Sequence, residues 1–421
     1  MRVHFTNLGC KLNQAEIERL AREFAAAGHE VVATLAEADL HVVNSCTVTG
    51  TAARSSRKAA ARGQGRLRTV LTGCWATESP ERAALLAGVD LIVPNGEKEH
   101  LLARVHEAFP ETGRAVPKVP APVPRSPVPR GDAGHTRAMV KIEDGCNMRC
   151  AFCIIPFTRG NQRSRSLGEV VAEVGARARE GYQEVVITGV QISAWRWETD
   201  RLADLVDAIL AGTDVPRLRL TSIAPWDLDE RLLDLWSDRR LCRHLHLSLQ
   251  SGSTATLRRM RRPYTAESYL DLLVKVRTAV PGVAVTTDVI VGFPGETEAE
   301  FAESLATVKS AAFAKVHVFP FSTRPGTEAE AMPGQIPPET KKERMNRMLT
   351  AAAQAELDFH RVHLGTRATV LWERPRDGMG HGLTDNYLRV LSAEGAGLWN
   401  RFSEVELVGL AEDGVRGEIV A

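Results

Sequence analysis

Short apolar runs alternate with amphipathic runs over residues 1–112, a common length for one domain. The apolar runs predict strands at RVHFTNLG, DLHVVNS, TVLTG and DLIVPN. The amphipathic runs predict helices at residues 14–27 and 51–62 and in ERAALLAG and EHLLARVHEAF. Strands that alternate with helices form a parallel sheet covered on both faces, so the pattern predicts an open parallel α/β domain.

A second alternating series begins after a proline-rich segment at residues 113–135, which is predicted to be a stiff linker or a surface loop at a domain boundary. Six strands are predicted at RAMVKIE, EVVITGV, RLRLTSI, HLHLSLQS, VAVTTDVIVGF and AKVHVFPF. Their spacing of roughly 30–45 residues suits βα units, and six such units suit a partial or full barrel. With the helical run KKERMNRMLTAAAQAELDFHRVH, they define a predicted central domain at residues 136–358.

The pattern changes to short strands and turns in the last part of the chain. Strands are predicted at ATVLWER, LTDNYLRVLS, FSEVELVGLA and GEIVA. Residues 359–421 are therefore predicted to form a small all-β barrel, of the size used for binding oligonucleotides.

Composition narrows the class of protein. The 421 residues carry 53 Lys and Arg against 52 Asp and Glu, so any binding to nucleic acid must come from local basic patches. No apolar run approaches the ~18 residues of a membrane helix and no signal-peptide pattern is present, so we expect a cytoplasmic protein without membrane contact. The odd number of cysteines, 7, argues against a disulfide framework.

Three cysteines, Cys146, Cys150 and Cys153, follow the first strand of the predicted barrel. Three thiolates on one loop can hold three irons of a 4Fe–4S cluster and leave the fourth iron open to a substrate. In a parallel barrel, this loop lies at the carboxyl ends of the strands, where active sites form. A structural zinc site on Cys150 and Cys153 is the alternative, but zinc needs four ligands and no fourth lies nearby in sequence.

Other residues at predicted strand ends suit a cofactor pocket. Gly189 would let a ligand approach the backbone, Ile290 would offer an apolar wall to an adenine, and Arg324 would bind a carboxylate. Each of these residues is otherwise interpretable as loop or core packing. The complete predicted cofactor set is Phe152, Gly189, Ser222, Gln250, Asp288, Ile290, Phe321 and Arg324.

A second cysteine trio lies in the first domain. Cys10, Cys46 and Cys74 each come just after a predicted strand. Because parallel strands deliver their carboxyl ends to one edge of the sheet, we expect the three thiols to meet there. Buried, inert cysteines are the alternative, and Cys242 is interpreted in that way.

The C-x3-C-x2-C spacing, with Phe152 before the last cysteine, resembles the radical S-adenosylmethionine superfamily. With both trios, the whole chain resembles the methylthiotransferases. In the first domain, the matching segments are LGCKLN (residues 8–13), NSCTVT (44–49) and TGC (72–74). In the central domain, they are residues 145–156, 159–160 and 164–166, HLSLQSG (246–252), MRR (260–262) and GFPGET (292–297). In the tail, the matching segment is GLTDNY (382–387).

That resemblance implies two 4Fe–4S clusters, one on each trio, and two molecules of S-adenosylmethionine. One would methylate a sulfur carried by the auxiliary cluster on Cys10, Cys46 and Cys74. The other, on the Cys146 loop, would yield a 5′-deoxyadenosyl radical that takes hydrogen from an unactivated C–H bond. The resemblance also implies a flavodoxin- or ferredoxin-like electron donor and a sulfur donor.

Smaller motifs resemble one branch of the family. Cys-Lys-x-Asn, Cys-Thr-Val-Thr and Leu-Ser-Leu-Gln are similar to the branch that modifies C2 of N6-threonylcarbamoyladenosine beside the tRNA anticodon. Branches that act on N6-isopentenyladenosine or on a ribosomal-protein aspartate are the alternatives. Ala224 departs from the branch pattern, which has an acidic residue there.

Contact with the tRNA anticodon stem-loop is predicted at two basic patches and in the tail, which resembles the family's RNA-binding TRAM domain. A non-catalytic iron–sulfur sensor that binds RNA is the alternative from a different class. It would need the basic patches but no cofactor pocket. The predicted RNA-binding residues are Arg54, Arg57, Lys58, Arg62, Arg261, Arg262, Asn386 and Tyr387.

Overall fold

A computed structural model describes residues 1–63, 65, 67–110 and 136–420. The predicted linker at residues 113–135 lies outside these described residues. The first domain is a five-stranded parallel sheet of order β2-β1-β3-β4-β5. Its strands are Arg2–Asn7 (β1), Glu30–Val31 (β2), Leu40–Ser45 (β3), Arg68–Gly73 (β4) and Leu91–Val93 (β5). Its helices are Lys11–Ala26 (α1), Gly50–Ala60 (α2), Cys74–Glu78 (α3), Pro80–Ala84 (α4) and Leu101–Ala108 (α5).

The central domain carries strands Arg137–Lys141 (β6), Glu143–Asp144 (β7), Arg163–Ser164 (β8), Glu184–Thr188 (β9), Arg196–Trp197 (β10), Asp200–Arg201 (β11), Leu218–Leu220 (β12), His244–His246 (β13), Ala284–Val291 (β14) and Lys315–Pro320 (β15). Its helices are Ile155–Arg159 (α6), Leu167–Arg179 (α7), Leu202–Gly212 (α8), Arg231–Asp234 (α9), Thr254–Arg259 (α10), Ala266–Ala279 (α11), Glu298–Ser310 (α12), Glu328–Ala331 (α13) and Pro338–Arg361 (α14).

Six parallel strands of this domain, β6, β9, β12, β13, β14 and β15, form a partial barrel. Two parallel sheets, β6-β9-β12 and β13-β14-β15, are joined by parallel bridges between Leu218 and Leu241 and between Ile223 and Leu247. Because side chains alternate along a strand, one face of the barrel is apolar and packs under the helices, while the other is largely polar. The alternating pattern in the sequence predicted these six strands.

The terminal domain is a closed barrel of order β16-β17-β18-β20-β19. Its strands are Arg367–Trp372 (β16), Gly380–Thr384 (β17), Arg389–Ser392 (β18), Phe402–Ala411 (β19) and Gly414–Ile419 (β20). The segment predicted as one strand, LTDNYLRVLS, is divided between β17 and β18. Tyr387 takes a φ of 67°, which turns the chain between them. The predicted fold class, an open sheet, a partial barrel and a small β barrel, is confirmed.

Helix α1 connects the first domain to the central one. Its Ala15 packs with Met139 of β6 and Val186 of β9, on the inner face of the partial barrel. The first domain thus covers part of the face that the six strands leave open. Within the described residues, no helix has the length and hydropathy needed to cross a membrane.

The core of the central barrel should dominate its stability. Leu247 is fully buried in the main apolar cluster, so Leu247→Ala should lower the free energy of unfolding by about 2–5 kcal/mol. Urea titration followed by tryptophan fluorescence measures this loss. Val274→Ala on α11 is the matched control, because Val274 is 66% exposed, and it should change stability by less than about 0.5 kcal/mol.

Candidate functional site

The central cysteine loop lies between β7 and α6. Gly145 starts it with a φ of 77°, and a Cβ there would lie 2.2 Å from the carbonyl oxygen of Asn161, so only glycine fits. The amide of Met148 lies 3.4 Å from Cys146 Sγ and donates toward it. The guanidinium of Arg262 lies 3.5 Å from Cys150 Sγ. Sulfurs that accept N–H hydrogen bonds are typical of iron-bound thiolates, so the loop fits a cluster.

The three cysteines of the first domain lie at the carboxyl edge of its sheet, as the sequence predicts. Cys10 precedes α1, Cys46 follows β3 and Cys74 begins α3. A Cβ on Gly9 would lie only 2.8 Å from Cys46 Sγ, so the Cys10 loop passes directly over Cys46. Burial raises the pKa of Cys46 to about 11, and the nearby Cys74 and Cys10 shift it in the same direction.

The donor set fits an iron–sulfur cluster at each trio. Burial raises the pKa of the Cys153 thiol to about 12, so binding of iron, which requires the thiolate, must displace its proton. Within the described residues, no three Cys, His, Asp or Glu side chains are arranged around a single metal ion.

A buried ion-pair network joins the two cysteine trios. Arg159, at the end of α6, places its guanidinium 2.9 Å from both Glu16 of α1 and Asp144 of β7. It also donates to Asn13 Oδ1 at 2.6 Å, three residues after Cys10. Lys98 completes the network with Nζ 2.6 Å from Glu16. Asp144 is two residues before Cys146, so one guanidinium contacts the segments beside both trios.

Charge pairing outweighs burial in this network. Burial alone would raise the pKa of Glu16, but Arg159 and Lys98 hold that pKa well below its usual range. The pKa of Asp144 is likewise lowered by Arg159 and Lys141 against the effect of burial. Both carboxylates are therefore ionised within a nearly dry junction between the two domains.

Two further contacts bring the trios' loops together. The amide of Asn95 donates to the carbonyl oxygen of Thr158 at 2.9 Å and lies 3.6 Å from Cys74 Sγ. Arg324 donates to the carbonyl oxygen of Thr47, next to Cys46, at 3.2 Å. Arg324, which was predicted to bind a carboxylate, thus lies in the interface between the domains. There it also donates to Ser322 Oγ at 3.0 Å.

Three of the predicted cofactor residues share one apolar cluster. Phe152, Ile290 and Phe321 pack around Phe293, whose ring centroid lies 6.4 Å from that of Phe152 and 5.4 Å from that of Phe321. The cluster contains the cysteine loop itself through Phe152. The contact of this cluster with an adenine stays a prediction.

The remaining predicted cofactor residues lie at strand ends. A Cβ on Gly189 would be 2.3 Å from Glu143 Oε1, so glycine permits the carboxylate to approach the backbone. Ser222 and Gln250 have φ values of 39° and 64°, a strained geometry that often marks functional sites. The carboxylate of Asp288 lies 3.1 Å from His246 Nε2, within hydrogen-bond distance.

Ala224, the departure from the branch pattern, is buried, and its amide donates to Ser193 Oγ at 3.0 Å. The nearest acidic residue along this loop, Asp227, forms an ion pair of 3.0 Å with Arg196. A carboxylate is therefore present three residues after Ala224, in the loop that follows β12.

The predicted basic patch on α2 and the turn that follows it is available for contact. Arg54, Lys58 and Arg62 are exposed, and none forms an ion pair with another described residue. Arg57 instead lies over the Trp75 ring, 5.7 Å from its centroid.

The other predicted RNA-binding residues are placed differently. Arg262 lies over Phe152 and Trp226 at the cysteine loop, and Arg261 forms an ion pair of 2.8 Å with Glu328. Asn386 is 3% exposed and donates to His363, and the Tyr387 ring stacks on His244. Asn386 and Tyr387 thus pack between the terminal and central barrels, and little of Asn386 is left exposed for contact with RNA.

Sequence reasoning missed the buried network of Glu16, Lys98 and Arg159. One signal was present: Glu16 occupies the i, i+4 stripe of Leu12 and Leu20 on the apolar face of α1. A charged residue in such a stripe requires a buried partner. Nothing local in the sequence identified that partner as Arg159.

Comparisons with known proteins define the class first. Residues 140–308 match the model of the radical SAM superfamily, and residues 2–94 match uncharacterized protein family UPF0004. The fold is similar to a radical S-adenosylmethionine methyltransferase, TsrM, from Kitasatospora setae, with a TM-score of 0.56, 16% identity and coverage of 78% of this chain and 77% of that one. The protein is a radical S-adenosylmethionine enzyme.

Relatives narrow the class to a family. The threonylcarbamoyladenosine tRNA methylthiotransferase MtaB of Bacillus subtilis (strain 168) is 35% identical, over 92% of this chain and 90% of its own. The protein of the same name from Aquifex aeolicus (strain VF5) is 35% identical, over 93% and 96%. A tRNA-2-methylthio-N(6)-dimethylallyladenosine synthase of Staphylococcus epidermidis is 33% identical, over 81% and 69%. The chain belongs to the radical S-adenosylmethionine tRNA methylthiotransferase family.

The junction should depend on Arg159. Arg159→Met leaves Glu16 and Asp144 as buried charges short of a partner, so stability should fall by about 3–5 kcal/mol, measured by urea denaturation. Arg347→Met is the control, because Arg347 forms exposed pairs with Glu298 and Glu343 worth about 0–1 kcal/mol. Equal losses in the two variants would contradict a structural role for the network.

Proposed function

We propose that this enzyme adds a methylthio group to C2 of N6-threonylcarbamoyladenosine beside the anticodon of tRNA, using two 4Fe–4S clusters. The observation that carries the proposal is the junction around Arg159. Its guanidinium contacts Asn13 and Glu16 on the side of Cys10 and Asp144 on the side of Cys146. An enzyme that makes a radical at one cluster and delivers sulfur from another needs both clusters to face one substrate.

Each group of residues has a distinct task in this proposal. Cys146, Cys150 and Cys153 hold the cluster that binds S-adenosylmethionine, and Cys10, Cys46 and Cys74 hold the auxiliary cluster. When bound, the two clusters and S-adenosylmethionine would supply the radical and the methylthio sulfur. The apolar cluster of Phe152, Ile290 and Phe321 packs beside the loop of Cys146, Cys150 and Cys153 and excludes water from the reacting region.

The threonylcarbamoyl branch is favoured over the alternatives by the names of the first two relatives and by the local motif after Cys10. The relative from Staphylococcus epidermidis is named for a dimethylallyl substrate, and the match spans 69% of its length. Its name makes an isopentenyl-type substrate the second candidate.

The tRNA would approach over α2. Its N-terminal residue, Gly50, donates to Ser322 Oγ at 3.3 Å, so the helix starts at the junction of the two domains. From there Arg54, Lys58 and Arg62 lead outward as an exposed basic row. Phosphates bound along this row would guide the anticodon loop toward the cysteines, and such binding weakens steeply with salt. A flavodoxin- or ferredoxin-like donor and a sulfur donor complete the proposed partners.

Nucleoside analysis tests the substrate. Deleting the gene from its host should remove 2-methylthio-N6-threonylcarbamoyladenosine from tRNA and leave its unthiolated precursor to accumulate, as measured by mass spectrometry. Reintroducing the wild-type gene is the control. Loss of the isopentenyl counterpart instead would identify the second candidate as the substrate, and an unchanged profile would contradict a tRNA substrate altogether.

Cysteine variants test the division of labour. Changing Cys146, Cys150 or Cys153 to Ala should abolish formation of 5′-deoxyadenosine by dithionite-reduced enzyme, because the cofactor then has no cluster to bind. Changing Cys10, Cys46 or Cys74 to Ala should spare that cleavage and abolish methylthiolation. Cys242→Ala is the matched control, since Cys242 is buried away from both trios. Equal loss in both assays for all six variants would exclude separate roles.

A further inference from the structure

Lys11 follows Cys10 directly and extends its side chain toward the inner face of the partial barrel. Its Nζ lies 5.5 Å from the ring centroid of Tyr387, which stacks on His244 of β13. Burial lowers the pKa of His317 on β15, and the charge of Lys11 contributes in the same direction. The ammonium group therefore lies within the polar interior, between the auxiliary trio and the strands.

Other polar side chains face the same interior of the barrel. His246 bonds to Thr286 Oγ1 at 3.0 Å and to Asp288 at 3.1 Å. The His317 ring lies 6.1 Å from His246. The residue lies within the barrel interior but keeps solvent-accessible surface there, and it forms no hydrogen bond with another described residue. An N–H of His317 is thus free to donate to a ligand in this space.

Lys11 differs from the other cations that face this interior. Arg137 pairs with Glu373 at 2.9 Å, Arg219 with Glu184 at 2.7 Å, and Lys315 with Glu356 at 2.9 Å. Within the described part of the chain, no carboxylate lies within 4.0 Å of Lys11. A partly buried ammonium without a carboxylate partner is suited to bind an anion from a ligand.

We propose that Lys11, assisted by His317, binds the carboxylate of the threonylcarbamoyl substituent and so selects the modified base. The inference rests on the proposed function. On adenine, N6 and C2 lie on the same edge of the ring, so a base that presents C2 to the trio beside Lys11 also directs its N6 substituent into this interior. An isopentenyl substituent carries no charge and gains nothing from Lys11.

Binding measurements test the assignment without turnover. Reconstituted enzyme is titrated with anticodon stem-loops that carry either threonylcarbamoyladenosine or its neutral carboxamide analogue, with fluorescence anisotropy as the readout. Wild-type enzyme should prefer the carboxylate form by about tenfold to a hundredfold, the range of one charge-assisted hydrogen bond. Lys11→Gln should lose that preference, Lys11→Arg should keep most of it, and Lys275→Gln, a distant surface charge, should keep all of it.

His317→Gln provides a second variant that is remote from the cysteines in sequence, and it should reduce the same preference. Iron content and the cluster electron-paramagnetic-resonance spectrum of each variant verify that both clusters are present. A carboxylate preference that persists in both Lys11→Gln and His317→Gln, or that is missing in the wild type, would overturn the assignment. Failure of the proposed function is seen separately, as a wild-type enzyme that does not methylthiolate the carboxylate stem-loop.

Discussion

The guanidinium of Arg159 is the contact on which the arrangement of the two cysteine trios depends. It is buried, 3% exposed, and its ligands come from both domains: Asn13 and Glu16 from one and Asp144 from the other. Burying a charge without a partner is far more costly than leaving it in water, whereas a fully paired group can be accommodated. The network is therefore satisfied only when the domains are docked, and docking in turn fixes the loops of Cys10 and Cys146 relative to each other.

Helix α1 carries this constraint into the partial barrel. It covers part of the inner face, where its Ala15 packs on Met139 and Val186, while Glu16 enters the ion-pair network. One helix thus packs on the strands, supplies a central carboxylate of the network and begins beside Cys10. Because these tasks fall on consecutive turns of α1, the first domain cannot be shifted without disturbing all of them.

Periodicity and position were sufficient to predict the fold and the meeting of the cysteines. Parallel strands end at one edge, so Cys10, Cys46 and Cys74 could be placed together from strand ends alone. The partners of Arg159 could not, because Glu16 is separated from it by 143 residues and no local pattern encodes that contact. The packing of Asn386 and Tyr387 against the central domain could not be predicted for a related reason: a motif indicates the domain type but not which of its faces packs against a neighbour.

Charged side chains from the first and central domains surround Tyr387 of the terminal domain. Burial would raise the pKa of the Tyr387 phenol, yet Lys11 of the first domain and Arg137 and Arg219 of the central one lower it to about 8. Cations stabilise the phenolate, so the three positive groups around Tyr387 favour its ionised form. Arg137 and Arg219 also pair with the carboxylates of Glu373 and Glu184, whereas no carboxylate of a described residue lies within 4.0 Å of Lys11. The interior beside the auxiliary cysteines is thus suited to an anionic ligand, and the same positive charge disfavours cationic ones.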